Sequence, residues 1–495
     1  MFFQINYFLK KSVNNFTLCG VLGVFVSGYQ LFPLLIILIE GFVTISFQVL
    51  TLRQLVPFVG NNIYSTSLII GFFLLFLALG YKKGGQIKEN IEVRLAVNFL
   101  LSLLLIGIGL SYSFIDLLFT HVLFFTENYL FKLFIYLLLI IAPGVYLLGQ
   151  TIPAMTNMSK QKDVSEVSGN SLYLSTIGSF LGAVLTSFLF LSFFGVGLTI
   201  FLVSLMLFVL VVLSFRGGSV SFWLIGLMLL LSSYYLNAQG EKELFIKTTV
   251  HANYEKKSTQ DRYASGRLAP TKSELLISNG SYSSVVRADG KGWSYIERAK
   301  DFVSADLQLK GGEIAIVGAG AFSYGRGKNS PGIDNKLTFI DVDEQLEPLI
   351  REKFQGSFVG DFIGEDARLY FKHSTKKYDV IVLDAYSSKS VIPPHLVTAE
   401  FYSLVKSRIK DGGWLLVNMI LDPQYRDNFS QRMDNTLRSV YPHCYTEYVR
   451  NVNGSKPNLN RLSNILYICP VGSKQVSSTN IYTDDKNLSS LDLAH

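Results

Sequence analysis

Asp341 stands at the end of the apolar run Leu337–Ile340, about 20 positions beyond a small-residue turn, Gly318-Ala319-Gly320-Ala321. A carboxylate at that place can accept two hydrogen bonds side by side, which suits the two hydroxyls of a ribose. Gly318 and Gly320 carry no side chain, so the backbone there can approach a ligand closely, and a helix is expected to begin just beneath the turn. Asp366, in Gly364-Glu365-Asp366-Ala367, precedes a helical stretch. It can read an adenine amino group, cap the helix, or do both. Asp384 follows the buried run Val380–Leu383, at the carboxyl end of a strand, where open α/β sheets place their ligands. The order of Ser, His and Asp residues does not suggest a catalytic triad, and the spacing of Cys and His does not suggest a zinc site. His395, after Pro393-Pro394, reads as a surface loop histidine.

These residues need a scaffold. From 311 to 472, apolar strands alternate with helical stretches, which points to βαβ units and a parallel sheet. The expected strands are Ile314–Val317, Leu337–Ile340, Val380–Leu383 and Trp414–Met419, followed by an antiparallel hairpin at 443–451 and 463–471. Residues 308–472 therefore read as an α/β Rossmann-like (methyltransferase-type) domain for a nucleoside. Residues 241–307 read as a small β subdomain with an Asn279-Gly280 turn and a linking helix from Ser294 to Leu307. Residues 473–495 read as a polar, disordered tail.

The N-terminal half differs in kind. Only 16% of the 495 residues are charged and 49% are hydrophobic, with a mean hydropathy of +0.34. A soluble chain carries about 25% charged residues. Residues 1–238 read as a polytopic α-helical membrane domain of about seven spans, at 31–52, 62–81, 95–114, 130–150, 172–194, 197–215 and 219–237. Residues 17–30 form either a further short span or an interfacial piece. Gly178 and Gly182 are a small-xxx-small pair that fits a helix contact. Glu40 and Gln48 fall inside the first strong span and should face other helices or a cavity. The net charge of +7 comes from basic residues flanking apolar stretches, so it reads as a topology signal and not as a nucleic-acid footprint. Lys82, Lys83, Lys88 and Arg94 in one loop, Lys160 and Lys162 in another, and Arg216 in a third fall on one side, the cytoplasm. With a last span at 219–237, either the soluble domain lies outside it or the span count is off by one and the domain lies within it. Cys444 and Cys469 are neighbours in the expected hairpin and either form a disulfide there or remain buried thiols; Cys19 stands apart.

Taken in order, several motifs resemble the spermidine synthases, the polyamine aminopropyltransferases. They are Val317-Gly318-Ala319-Gly320, Phe339-Ile340-Asp341-Val342-Asp343, Glu365-Asp366-Ala367, Tyr378 to Asp384, Thr398-Ala399-Glu400-Phe401-Tyr402 and Lys410-Asp411-Gly412-Gly413. Asn279-Gly280 and Tyr295-Ile296-Glu297 are similar to that family's β subdomain and the edge of its site. Gly41 to Arg53, Leu148 to Pro153 and Ile177 to Gly182 resemble a multi-span, membrane-fused branch. The resemblance implies decarboxylated S-adenosylmethionine as co-substrate, with no tightly bound cofactor, and an amine acceptor such as putrescine. It implies Asp341 on the ribose, Asp366 at the adenine and Asp384 where donor and acceptor meet, with Tyr295 and Glu297 beside them. Two positions depart from the family. Ala321 stands where an Asp holds the donor's amine, and Ser387 stands where the general base is expected, which leaves Asp384 and Glu297 as the candidate catalytic carboxylates to compensate. Those departures keep two alternatives open: a methyltransferase-like enzyme using intact S-adenosylmethionine, or a non-catalytic nucleoside- or polyamine-binding sensor or transporter. The expected partners are the lipid bilayer, a small-molecule amine and, as an option, a second copy in a homo-oligomer. The expected location is a bacterial inner membrane.

Overall fold

The structure is a computed structural model that describes residues 28–60, 63–126, 128–158, 164–215, 217–249, 251–262, 268–386, 391–448, 462–472, 481–487 and 489–492. Cys19, Lys160, Lys162, Arg216 and Ser387 lie outside the described residues, as do the expected features at 17–27.

Among the described residues, six helical runs are long and apolar enough to cross a membrane: Pro33–Val59, Ile63–Gly84, Ile91–Gly109, Tyr129–Met158, Ser165–Ser214 and Val220–Leu244. The fifth is 50 residues long, more than twice the length of one crossing. It breaks at Gly195, where φ is 75° and ψ 179°, so it forms two limbs that match the expected spans 172–194 and 197–215. Large apolar side chains such as Leu74, Phe188 and Met228 point outward, while Leu95, Phe99 and Leu103 on the third helix are fully buried. An apolar outer surface of this extent suits lipid better than water.

Small residues let the helices touch. A Cβ on Gly178 would come within 2.1 Å of the Leu38 carbonyl oxygen, and one on Gly182 within 2.4 Å of that of Phe42. The fifth run therefore lies backbone to backbone on the first. The ends of the bundle are distinguishable. At one end, Asn157 donates to the carbonyls of Gly85 and Ile87, joining the loop after Lys82 and Lys83 to the end of the fourth run. At the other end, Arg53 donates to Thr249 and Asn253, Tyr112 packs edge-on against Phe245, and Glu241 accepts from the Gly197 amide beside the Gly195 break. The soluble half is seated on this second end.

That half opens with a four-stranded antiparallel sheet, β1 (Lys247–Thr248), β2 (Asn253–Arg262), β3 (Leu268–Ser278) and β4 (Ser281–Val286), in chain order. Asn279 and Gly280 turn β3 into β4 with φ of 48° and 72°, the double positive φ of a two-residue hairpin. The larger sheet holds β5 (Glu313–Val317), β6 (Lys336–Asp341), β7 (Asp361–Gly364), β8 (Tyr378–Leu383), β9 (Ile409–Leu421), β10 (Tyr445–Tyr448) and β11 (Ser463–Pro470), in the order β10-β11-β9-β8-β5-β6-β7. β5 to β9 run parallel, and β10 and β11 are antiparallel. The chain leaves β5 towards β6 on one side and β8 towards β9 on the other, so a crevice opens between the carboxyl ends of β5 and β8. A disulfide joins Cys444 to Cys469 across the β10–β11 hairpin.

Three expectations are corrected. No helix begins under the Gly318 turn: the chain from β5 to β6 contains only the 3₁₀ turns Ser323–Gly325 and Pro331–Ile333. Gly325, Gly327, Pro331 and Gly332 interrupt it, and buried Arg326 holds it by donating to the carbonyls of Ala321, Gln355 and Gly356. The C-terminal tail is not wholly disordered. Tyr482 is buried, its amide donates to Thr436 and its hydroxyl to Asp492, and Asp484 pairs with Arg368. One aromatic anchor outweighs the polar composition around it. β7 was not expected as a strand, because only two of its four residues, Phe362 and Ile363, are apolar and it ends in Gly364.

The helix contact is testable. Gly182→Leu should lower the yield of folded protein and destabilise it by about 1–3 kcal/mol or more, since added volume meets backbone there. Thermal unfolding in detergent checks this, with Gly169→Leu, where a Cβ meets nothing within 4 Å, as the control expected to behave as wild type.

Candidate functional site

The crevice begins at Gly318, whose φ is 90° and where a Cβ would stand 2.3 Å from the Asp384 carbonyl oxygen. Only glycine permits both that backbone and that approach. The Gly318 amide donates to the Ile340 carbonyl and the Asp384 amide to the Val317 carbonyl, each at 2.9 Å, so the strand ends carrying Asp341 and Asp384 are tied to one turn. Gly320, φ 50°, lets β4 close over the turn: a Cβ there would lie 2.4 Å from the Ser284 hydroxyl, which accepts from the Ala321 amide at 3.0 Å.

Asp341 is half-buried at the tip of β6. Its Oδ2 accepts from the Ala319 amide at 3.0 Å and its Oδ1 from the Asp343 amide at 3.1 Å. Desolvation raises its pKa, and the two amides partly offset that. Each oxygen keeps lone-pair capacity for a hydroxyl donor.

Asp384 lies across the crevice, enclosed by Tyr295, Tyr324 and Tyr386. Asn418 on β9 donates to its Oδ1 at 2.9 Å and the Tyr295 hydroxyl also donates to it. Desolvation pushes this carboxyl up to about 7 against those two hydrogen bonds. The Tyr386 hydroxyl donates to the Asn418 carbonyl at 3.1 Å and accepts from the Ile420 amide at 2.9 Å. The Asn418 Oδ1 and the Tyr324 hydroxyl are buried without a partner. Buried polar atoms left unmet cost free energy unless a ligand supplies the bond, and Asn418 Oδ1 can only accept.

The other expected residues take different places. Asp366 caps the helix Ala367–His373 through Oδ1, accepting from the Arg368 and Leu369 amides at 3.0 and 3.1 Å. Its Oδ2 meets His395 Nε2 at 2.8 Å, a hydrogen bond that lowers its pKa. Glu297 already accepts from the Gly292 amide, Lys300 and Asn329, at 2.8, 2.9 and 2.8 Å. With both oxygens so engaged it anchors the 289–292 loop and is a poor candidate for a base. Tyr295, Gly318, Gly320, Asp341 and Asp384 are brought to one crevice. Asn418, Tyr324, Tyr386 and Ser284 were not foreseen; a polar Asn in the buried run Val417-Asn418-Met419 was the one available signal.

The wall between β5 and β8 presents hydrogen-bond acceptors: the carboxylates of Asp341 and Asp384 and the unmet Asn418 Oδ1. No family model matches the chain. A probable polyamine aminopropyl transferase of Bifidobacterium longum is 27% identical over 126 residues, 26% of this chain and 28% of the relative. Polyamine aminopropyltransferase 2 of Hyperthermus butylicus is 30% identical over 152 residues, 29% of this chain and 50% of the relative. The chain thus spans half or less of these two relatives. Among solved structures, a probable spermidine synthase of Corynebacterium glutamicum matches at 18% identity and a TM-score of 0.36, covering 46% of this chain and 81% of that one. The resemblance to the spermidine synthase family read from the motifs is borne out by the curated relatives.

A carboxyl held up to about 7 when folded binds protons between that pH and its ordinary value of 3.8, where the unfolded chain has lost them. Stability therefore falls as pH rises through this window. Asp384→Asn should unfold at a higher temperature than wild type at pH 8, with the gap closing at pH 4. Equal midpoints at pH 8 would mean the carboxylate is not desolvated.

Proposed function

We propose that the soluble half transfers an aminopropyl group from decarboxylated S-adenosylmethionine to a small amine. The acceptor crevice carries this reading: a desolvated carboxylate, Asp384, beside an unmet carbonyl acceptor on Asn418, in a tyrosine-lined wall. Those groups suit a cationic or N–H-rich ligand. The curated relatives' shared name supports the same class of transferase.

In this reading Asp341 binds the ribose hydroxyls, and Asp366 with His395 lies at the adenine side. The acceptor nitrogen attacks the aminopropyl carbon bound to the sulfonium. The carbon–sulfur bond breaks, its electron pair returns to sulfur, and neutral 5′-methylthioadenosine leaves. Asp384 takes the proton from the new ammonium, a task suited to a base poised near neutrality. Ala321 favours one second reading. With no carboxylate to hold the donor's amine, the site also accommodates intact S-adenosylmethionine, and methyl transfer would then follow the same displacement geometry.

We also propose that the chain is an integral membrane protein with this domain outside the cytoplasm. Lys82, Lys83, Lys88 and Arg94 gather at the bundle end away from the soluble half, and excess positive charge marks the cytoplasmic side. The Cys444–Cys469 disulfide fits an oxidising compartment.

Purified full-length protein, given the decarboxylated donor and a panel of diamines, should release 5′-methylthioadenosine, measured by mass spectrometry. kcat/KM should fall as pH drops below about 7, where Asp384 gains its proton. Asp384→Asn should lose about 10²–10⁴-fold. No thioether product with any amine, but methylated product from the intact donor, selects the second reading. A C-terminal alkaline phosphatase fusion should be active and a C-terminal fluorescent protein fusion dark; the reverse pattern places the domain in the cytoplasm.

A further inference from the structure

We propose that Arg53, on the first apolar helix, is a positioning residue for the nucleoside site, acting through Thr249 and Asp343 on Asp341. This inference rests on the reading of Asp341 as the ribose carboxylate.

The path is short and buried. Arg53 is 9% exposed, and its Nη2 donates to the Thr249 carbonyl at 2.6 Å and to Asn253 Oδ1 at 3.0 Å. The Thr249 hydroxyl donates to Asp343 Oδ2 at 2.5 Å, and the Tyr254 hydroxyl donates to the same oxygen at 2.9 Å. The Asp343 amide donates to Asp341 Oδ1. Three links thus join an apolar helix to the carboxylate in the crevice. The remaining contacts hold the intermediate residues in place. The Thr249 hydroxyl accepts from the His251 and Ala252 amides, and Asp343 Oδ1 accepts from the Gln345 amide.

Charge gives the path a function beyond packing. Asp343 is 2% exposed and its negative charge disfavours ionisation of Asp341 two residues away. Arg53 attracts Asp343, and its guanidinium keeps Nε and Nη1 without a partner in a buried place. A buried cation so poorly satisfied is costly as a mere fastener. It offsets the second carboxylate of an acidic pair, so that Asp341 can stay ionised and accept from two hydroxyls. The other charged or titratable groups facing this set are Glu241, which Arg53 also attracts, His251, which favours the ionised Asp341, and Tyr254.

The test is calorimetric binding of 5′-methylthioadenosine to the full-length protein in detergent between pH 5 and 9. Wild type, Arg53→Gln, Arg53→Lys and Thr249→Val are compared. Arg53→Gln should weaken binding by about tenfold at pH 7, the scale of coupling through a packed network. Its loss of affinity at low pH should also begin at a higher pH than in wild type. Arg53→Lys, which keeps the charge, should restore most of the affinity and the wild-type pH profile. Thr249→Val removes the hydroxyl link while leaving the Arg53 helix untouched, so it reports on the path even if Arg53→Gln fails to fold; it should weaken binding in the same direction. Wild-type affinity and pH profile in either Arg53→Gln or Thr249→Val overturns the inference while the nucleoside reading stands. Failure of wild type itself to bind the nucleoside overturns that reading and this inference with it.

Discussion

The hydrogen bond from the Ala319 amide to Asp341 Oδ2 is the contact on which the site depends. It joins the tip of β6 to the turn leaving β5. That turn exists because Gly318 accepts a positive φ and the Asp384 carbonyl against its α-carbon. One turn therefore sets the distance between the Asp341 and Asp384 carboxylates. A side chain at Gly318 would separate β5 from β8 and open the crevice at its floor. The absence of a helix below the turn, across residues that are all described, also removes the helix N-terminus that favours phosphate. A site that lacks that positive end and presents Asp341, Asp384 and Asn418 Oδ1 is rich in acceptors.

The two halves of the chain are not independent modules joined by a linker. The bundle's Arg53 donates to Thr249 and Asn253 of the second half, and Tyr112 and Glu241 complete the seam. The loop that follows Lys82 and Lys83 lies at the end of the bundle away from this seam.

Much of the scaffold was legible in the sequence because its signals are local. The spans follow from apolar length, and the strands Ile314–Val317, Leu337–Ile340 and Val380–Leu383 from short apolar runs between turns. Asn279-Gly280 was readable as a turn because few other residue pairs take two positive φ values. What the sequence hid was relational. A polar Asn418 in an apolar run marks that residue but not its partner, and nothing near Tyr324 marks it, because β9 and the 3₁₀ turn meet Asp384 only in the fold. Glu297 looked free because its donors Asn329 and Gly292 lie on other loops. His395 looked idle because Asp366 is 29 positions away along the chain. The tail looked disordered because one buried ring, Tyr482, hardly alters its composition.

A determined structure of the full-length protein with bound 5′-methylthioadenosine tests the central claim most directly. The account predicts both ribose hydroxyls within about 3.2 Å of the Asp341 oxygens, and the thioether sulfur turned towards Asp384. A nucleoside lodged elsewhere, or an Asp341 carboxylate facing away from the sugar, would contradict it.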